Sequence, residues 1–204
     1  MKTKIKIITA VISVGIMAAL TFGLADDIKI IGTQQKLAEE IFRFHVLANS
    51  DSIEDQNLKI AVKDHIVAYM KSRIPDAKSM DETKQWAKTH LSDIETEAGK
   101  VIRENGYDYK VNAEVRKCEF PDKTYGDLTF PAGVYEALRI TIGNGRGRNW
   151  WCVLYPSLCF LDSVHAVVPK EGKEKLRKEL TVEEYEMITT RNTFRLKCFF
   201  LRNK

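Results

Sequence analysis

The stretch that decides the fold is Lys123–Asp162, KTYGDLTFPAGVYEALRITIGNGRGRNWWCVLYPSLCFLD. From Val134 to Ile142 it alternates residue types with the period of two that a half-buried strand requires. The loop 143–149, GNGRGRN, holds three glycines that tolerate positive φ. Residues 150–155, WWCVLY, are aromatic and β-branched enough for a second strand. The stretch therefore predicts a β-hairpin at the centre of a small domain.

The sequence as a whole predicts an α+β fold with a mostly antiparallel sheet and two helices after the first strand. Residues 41–48 alternate as a strand with one strongly apolar face. Ser52 offers an N-cap for a helix that Pro75 stops. Ser79 offers an N-cap for a second helix, which the Asn-Gly pair at 105–106 closes.

Further elements are predicted on either side of the central stretch. Tyr107–Arg116 alternates as a strand, and a short strand is predicted at 164–168. Two short helical turns are expected at 173–180 and after Thr181, followed by a last strand over 194–200.

The N-terminus predicts export. A basic start is followed by nineteen uncharged residues, 7–25, with small residues suited to cleavage after Ala25. Either kind of leader, a signal peptide or a membrane anchor, directs the rest of the chain out of the cytoplasm through the export machinery, because the basic N-terminal flank stays inside. We therefore assign 1–25 to a signal peptide or membrane anchor, 26–40 to a polar connector and 41–204 to a single α+β domain.

The composition limits the classes of protein to which the chain can belong. Hydrophobic residues make up 44% and charged residues 29%, which is typical of a globular protein and not of a disordered one. The formal net charge is only +4, and Lys2, Lys4 and Lys6 of the leader supply most of it. Nucleic-acid-binding domains concentrate a strong basic excess on one face, so nucleic acid is not the expected partner.

Four cysteines are present, and none forms a C-x-x-C pair, which argues against a zinc ribbon or a thioredoxin-like motif. Cys152 and Cys159 are the favoured pair for a disulfide if the body is exported. Two buried, unbonded thiols explain the same residues equally well.

The glycine-rich loop and the histidines do not predict a bound ligand. The spacing G-x-G-x-G, followed by a strand-like segment, fails the dinucleotide fingerprint, which needs G-x-G-x-x-G and a helix. The four histidines lack i, i+4 pairing, and no acidic loop matches a calcium pattern. No metal and no cofactor is implied.

An extracytoplasmic hydrolase is the alternative class. His45 near Asn49-Ser50-Asp51 has the residue types of a general base near a hydroxyl. The polar residues of this cluster are equally expected where a strand ends and the next helix is capped. Cys152 with His165, oriented by Asp162, has the residue types of a thiol nucleophile and its base. No G-x-S-x-G elbow is present.

Two segments carry a family resemblance: residues 42–64, FRFHVLANSDSIEDQNLKIAVKD, and residues 124–160, which include NWWCVL and P-x-LCF. Both closely resemble stage II sporulation protein R of endospore-forming bacteria. The resemblance also extends through the leader and, more weakly, through LTVEEYEMI (180–188) and FRLKCFF (194–200).

The resemblance implies a signalling role without chemistry, cofactor or small-molecule substrate. Such proteins are exported from the forespore into the space between the forespore and mother-cell membranes. There they are needed to activate a membrane-embedded aspartic protease, stage II sporulation protein GA, which removes the pro-sequence of pro-sigma-E.

A contact surface for that protease is expected where loops present polar groups beside aromatic residues. An ordinary solvated turn explains the same residues. The candidate contacts are His45, Asn49, Ser50, Asp51, Tyr125, Asp127, Arg146, Arg148 and Trp151.

Overall fold

The computed structural model describes residues 28–74, 79–156, 159, 168 and 170–189, together with 13, 17 and 21. Among them, no helix is long and apolar enough to cross a membrane. The predicted leader, apart from those three residues, lies outside the described part, and so do the strand predicted at 194–200 and nearly all of the one at 164–168.

The described residues form an α+β fold, which confirms the predicted class. Residues 28–40 are helical (α1), so the predicted connector begins the packed structure. The remaining elements are β1 (Phe42–Leu47), α2 (Ile53–Arg73), α3 (Met80–Thr89), α4 (Leu91–Glu104), β2 (Val111–Phe120), β3 (Lys123–Tyr125), β4 (Leu128–Phe130), β5 (Gly133–Ile142), β6 (Asn149–Tyr155), α5 (Lys170–Glu179) and α6 (Val182–Thr189).

The main sheet has the strand order β2-β5-β1-β6, and β3 and β4 form a separate hairpin. β1 pairs parallel with β5 and antiparallel with β6, while β2 pairs antiparallel with β5. The sheet is therefore mixed and mostly antiparallel.

The central hairpin prediction is wrong. β5 and β6 are not neighbours, because β1 lies between them and bonds to both. Because β5 and β6 lie on either side of β1, the connection between them must span two strand spacings, or roughly 9.5 Å. The loop 143–148 bridges them by crossing over the end of β1, which a two-residue hairpin turn does not do.

Glycine makes this crossing possible. Gly143 has a φ of 55°, a backbone conformation that residues with a Cβ rarely adopt. Gly147 lies so close to the β1–α2 turn that a Cβ would overlap the carbonyl oxygen of Ser50. The prediction that glycines in this loop adopt positive φ is confirmed. The glycines also allow the loop to approach another segment of the chain closely.

The predicted helix starts are confirmed. Ser52 caps α2 by accepting from the amide of Asp55, and Ser79 caps α3 by accepting from the amide of Glu82. α2 ends at Arg73, two residues before the proline that was expected to stop it.

Three helices, not two, follow the first strand, since the second predicted helix is interrupted at His90. The Thr89 hydroxyl donates to the Trp86 carbonyl there, a side-chain bond of the kind that competes with the helical ladder, and the His90 backbone leaves the helical conformation with a φ of -113° and a ψ of 20°. α4 ends at Glu104 and is closed by Gly106, which has a φ of 82°, in a Schellman motif in which the Tyr107 amide donates to the Ile102 carbonyl.

The strand predicted at Tyr107–Arg116 lies four residues further on. β2 begins at Val111, opposite Ile142, which is the last residue of β5. Residues 107–110 extend past the end of that partner strand, and beyond it only the Lys110 carbonyl continues the pairing among the described residues, by accepting from the Gly143 amide at 2.8 Å.

Hydrophobic clusters cover both faces of the sheet. Phe44 and Val46 of β1 pack with residues of α2, α3 and α4 on one face. On the other, Leu37 of α1 packs with Leu128 and Phe130 of the β3–β4 hairpin and with residues of α5 and α6. The two helical turns predicted near the end of the chain are thus confirmed, as longer helices.

We predict that Gly147→Ala lowers the free energy of unfolding by about 1–3 kcal/mol, because the added methyl group forces the crossing loop away from the β1–α2 turn. Gly32→Ala is the matched control, since nothing lies within 4 Å of the position of its Cβ. As Gly32 is helical, this variant should gain up to about 1 kcal/mol. Urea unfolding measures both, and an unchanged G147A variant would contradict the crossing geometry.

Candidate functional site

The loop that crosses β1 and the turn that leaves β1 form one surface, which we call the crossing platform (residues 48–51 and 143–148). Its two segments bind each other through their backbones: the Arg146 amide donates to the Asn49 carbonyl at 3.2 Å, and the Gly147 amide to the Ala48 carbonyl at 2.9 Å. Segments nearly a hundred residues apart in sequence are therefore one structural unit.

Side chains complete the platform. The Asn144 amide donates to Asn49 Oδ1 at 2.9 Å, and the Arg148 amide donates to Asp51 Oδ1 at 2.6 Å. The structure thus brings together five of the nine predicted contact residues: Asn49, Ser50, Asp51, Arg146 and Arg148. Asp51 and Arg148 remain available to solvent, with side chains 60% and 75% exposed.

Asp55, in the first turn of α2, anchors the platform to that helix by hydrogen bonds. Its Oδ2 accepts from the Asn49 amide group and from the Ser50 hydroxyl, while the carboxylate is only 4% exposed. Lys59, one turn further along α2, donates to the Arg148 carbonyl at 3.0 Å. Both anchors lie on the face of α2 that meets the sheet.

The charges of the two anchors follow from these contacts. Burial raises the pKa of Asp55, but the hydrogen bonds from Ser50 and Asn49 outweigh it, so the pKa lies below its ordinary value. Burial lowers the pKa of Lys59, and the nearby Arg148 lowers it further. An ionised Asp55 is therefore part of the folded platform at neutral pH.

His45 and Trp151 lie away from the platform, on the face of the sheet opposite α2. Their rings stack with centroids 4.9 Å apart, and Phe120 packs on His45 at 5.2 Å. Burial, together with Arg139, Arg43 and other cations nearby, lowers the pKa of His45 to about 3. His45 is therefore neutral at physiological pH.

Tyr125 belongs to a buried cluster around Arg43. The guanidinium donates from Nε to the Cys152 carbonyl at 3.1 Å and from Nη2 to the Tyr125 hydroxyl at 3.2 Å. It also lies 4.4 Å from the centroid of Phe120 and 5.0 Å from that of Tyr135. The structure thus gives Tyr125 a role in the core of the domain.

Asp127 binds the C-terminal elements. It accepts from the Val168 amide at 3.2 Å and from Lys173 of α5 at 2.5 Å. Asp127 therefore ties the β3–β4 turn to α5 and does not join the crossing platform.

The residues of the hydrolase alternative are not arranged for chemistry where they are described. Cys152 is paired with Cys159 as a disulfide, with Cα atoms 5.8 Å apart, so it offers no thiolate. His45 has no hydrogen-bond partner on either ring nitrogen among the described residues. His165 and Asp162 lie outside them, and the described residues contain no cluster of His, Cys, Asp and Glu suited to a metal ion.

Sequence reasoning missed three residues that shape these sites. Asp55 and Lys59, both in α2, were not among the candidate residues. Arg43 was expected on the polar face of a half-buried strand, yet it is fully buried. The aromatic content of the sequence could have indicated this, because an arginine in a strand next to many aromatic residues often packs on their rings.

Comparisons with known proteins identify the family of the chain. The family profile for stage II sporulation protein R matches residues 38–165, which include β1 and both segments of the platform. The chain belongs to that family. It is also 38% identical over 145 residues, 70% of its length, to stage II sporulation protein R of Bacillus subtilis (strain 168).

The match spans 65% of the length of that Bacillus subtilis relative. No solved structure matches the chain. The resemblance inferred from the two sequence segments is therefore confirmed at the level of the family, and a role in sporulation follows from it.

We predict that Asp55→Ala lowers the free energy of unfolding by roughly 2 kcal/mol at pH 7, because the donors of Asn49 and Ser50 lose a charged acceptor. A carboxyl whose pKa is depressed in the folded state stabilises above its unfolded pKa, and this contribution is lost as the pH falls through the folded value. The difference from wild type should therefore shrink below about pH 4.

Glu54→Ala is the matched control for Asp55→Ala. Glu54 is the exposed acidic neighbour in the same first turn of α2, so it shares the helix-terminus effect but not the platform contacts. Urea unfolding from pH 3 to 7 measures both variants. Equal losses in the two would mean that Asp55 acts only on the helix terminus.

We also predict that C152S/C159S lowers the free energy of unfolding by roughly 2–3 kcal/mol, since the disulfide closes a short loop in the unfolded chain. Thermal unfolding with and without dithiothreitol measures this: reduction should destabilise wild type and leave the double variant unchanged. Cys118→Ser is the control, because the Cys118 thiol is free. A wild-type protein insensitive to reduction would contradict the disulfide.

Proposed function

We propose that the chain is an exported sporulation signalling protein that activates a membrane-embedded aspartic protease of the stage II sporulation protein GA type, so that pro-sigma-E is processed in the mother cell. Family membership supports the sporulation role. The basic and apolar leader supports export from the forespore into the intermembrane space. In this proposal the protein acts by binding and performs no chemistry.

The observation that carries the proposal is the crossing platform. The two segments with the strongest family resemblance are distant in sequence, yet they fold against each other at one end of the sheet. Hydrogen bonds between the segments hold the backbone, while Asp51, Arg146 and Arg148 keep exposed side chains. Binding residues on loops that a rigid scaffold positions are common in recognition surfaces.

A fixed platform suits an activator. Because its loops are already ordered by hydrogen bonds, little conformational entropy is lost on binding. The exposed charges of opposite sign, Asp51 and Arg148, provide specificity and orientation at the rim of an interface more than raw affinity. Activation then requires that the protein bind the active state of the protease more tightly than the inactive state.

The size of that preference is set by the populations involved. A shift of the protease from about 1% to about 99% active needs a preference of about 10⁴-fold for the active state. An interface of standard size involves about 20–30 residues on each partner, which is more than the platform alone provides. Further surface of the domain must therefore contribute.

The test is reconstitution of the protease in liposomes with pro-sigma-E, with and without the full chain. We predict that wild type stimulates cleavage and that R146Q/R148Q reduces the stimulation roughly tenfold, because the platform loses both exposed cations. Its melting temperature should stay nearly unchanged, since the described hydrogen bonds of the loop use backbone atoms of these residues and the exposed ion pair between Arg148 Nε and Asp51 Oδ1, at 3.4 Å, contributes little to stability.

K88Q/R103Q is the matched control, as it removes two exposed cations from helices α3 and α4. It should stimulate cleavage as wild type does. Absence of stimulation by the wild-type protein would overturn the proposed function. Full stimulation by R146Q/R148Q would overturn the platform as its contact surface.

A further inference from the structure

A row of side chains crosses all four strands on the sheet face opposite α2. The register places Glu114 of β2 beside Arg139 of β5, Arg139 beside His45 of β1, and His45 beside Trp151 of β6. Arg116 lies two residues from Glu114 on the same face of β2. We call these five residues the cross-strand row.

The row is open to solvent at its β2 end. The side chain of Arg116 is 53% exposed, that of Glu114 is 38% exposed and that of Arg139 is 27% exposed. Trp151, at the other end, is partly exposed. The neighbouring part of the same face, around Arg43, is in contrast buried under the β3–β4 hairpin.

Polar groups in the row lack partners. His45 is 4% exposed, and neither of its ring nitrogens has a hydrogen-bond partner among the described residues. The buried Nε of the adjacent Arg139 has none there either. Buried polar groups without a partner are rare in folded proteins and cost free energy, so the described residues leave the polar groups of the row incompletely paired.

The charge of the row points to the kind of acceptor. Arg116 and Arg139 share a single carboxylate, Glu114, at 3.5 and 3.8 Å, which are long distances for ion pairs. Lys123 adds a third cation, with its Nζ 5.9 Å from the ring centroid of Trp151. Three cations thus face one anion, beside an indole ring that offers apolar contact.

We infer that the cross-strand row is a docking surface for an acidic segment of a partner protein; that this partner is the protease rests on the proposed function. Carboxylates of the segment bind Arg116 and Arg139 by charge-assisted hydrogen bonds, which are about twice as strong as neutral ones. The ring of Trp151 supports the apolar part of the segment.

The binding test uses the full chain and two synthetic probes, acetyl-hexaglutamate amide and acetyl-hexaglutamine amide, at 0.15 M salt. Isothermal titration should show binding of the glutamate peptide only. We predict that R116Q and R139Q each weaken it about tenfold, the loss expected for one charge-assisted bond. E114Q should strengthen it, because the arginines lose their competing carboxylate.

Lys117→Gln is the matched control. Lys117 is the exposed neighbour of Arg116 on β2, and its register with Glu136 places it on the opposite face of the sheet. Charges further apart than about 8 Å are largely screened at this salt concentration, so K117Q should bind as wild type does. Equal weakening by K117Q and R116Q, or no binding by wild type, would overturn the inference.

A second readout follows His45 itself. With burial and the neighbouring cations, including Arg139, Arg43 and Arg116, the pKa of His45 is lowered to about 3. A carboxylate bound at Arg139 partly neutralises these cations, so the pKa should rise. The ring resonances of His45, followed by NMR from about pH 2 to pH 7, should titrate at higher pH with hexaglutamate than with hexaglutamine. Identical titrations would count against docking on this row.

The cleavage assay separates this inference from the proposed function. Stimulation of cleavage by wild type with identical stimulation by R116Q and K117Q would leave the function intact and overturn docking of the protease on the row. Absence of stimulation together with selective hexaglutamate binding would overturn the function and leave an acidic partner of another kind. Selective loss of stimulation in R116Q supports both.

Discussion

β1 is hydrogen-bonded along both edges and packed on both faces, and the chain that leaves β5 must pass over its end to reach β6. This constraint determines the loop 143–148. The loop needs glycines where it approaches Asn49 and Ser50, and it needs donors that satisfy the carbonyl groups at the end of β1. The turn after β1 must in turn present Asn49 and Asp51 toward the loop. Asp55 and Lys59 of α2 then fix both segments, so that a central strand, a crossing loop and one helix start depend on each other.

The second consequence of the central position of β1 is the burial of its polar side chains. Arg43 cannot reach solvent, and the aromatic rings of Phe120, Tyr125 and Tyr135 surround its guanidinium in place of a carboxylate. Cation–π contacts gain strength when they are desolvated, which helps to offset the cost of burying the charge. The β3–β4 hairpin exists in part to close this cluster, since it contributes Tyr125 and Phe130. An arginine at this position thus organises the sheet face that the helices α2 to α4 do not cover.

Local sequence signals predicted what local physics determines. The caps at Ser52 and Ser79, the closure at residues 105–106 and the positive φ in the glycine loop depend on neighbours in sequence, and all are present. The order of strands depends on pairing between residues far apart, which alternation does not encode, so the hairpin prediction was wrong. The same limit applies to the sites. Residues 49–51 and 146–148 were separately named as candidates, but their union became visible only once β1 was placed between β5 and β6. The role of Asp55 as an anchor depends on that union.

The crossing platform and the cross-strand row are joined by β1. His45 and Asn49 are four residues apart, which along a strand corresponds to roughly 13 Å. A protein interface of standard size covers about 800 Å² on each partner, an extent that includes both regions at once. The platform then supplies a rigid edge with exposed charges, and the row supplies cations beside an aromatic surface that is partly desolvated already. Since electrostatic contacts are strongest where water is excluded, the row is the better source of affinity and the platform the better source of orientation. A partner that uses both contacts the end of β1 at the platform and the exposed β2 end of the row.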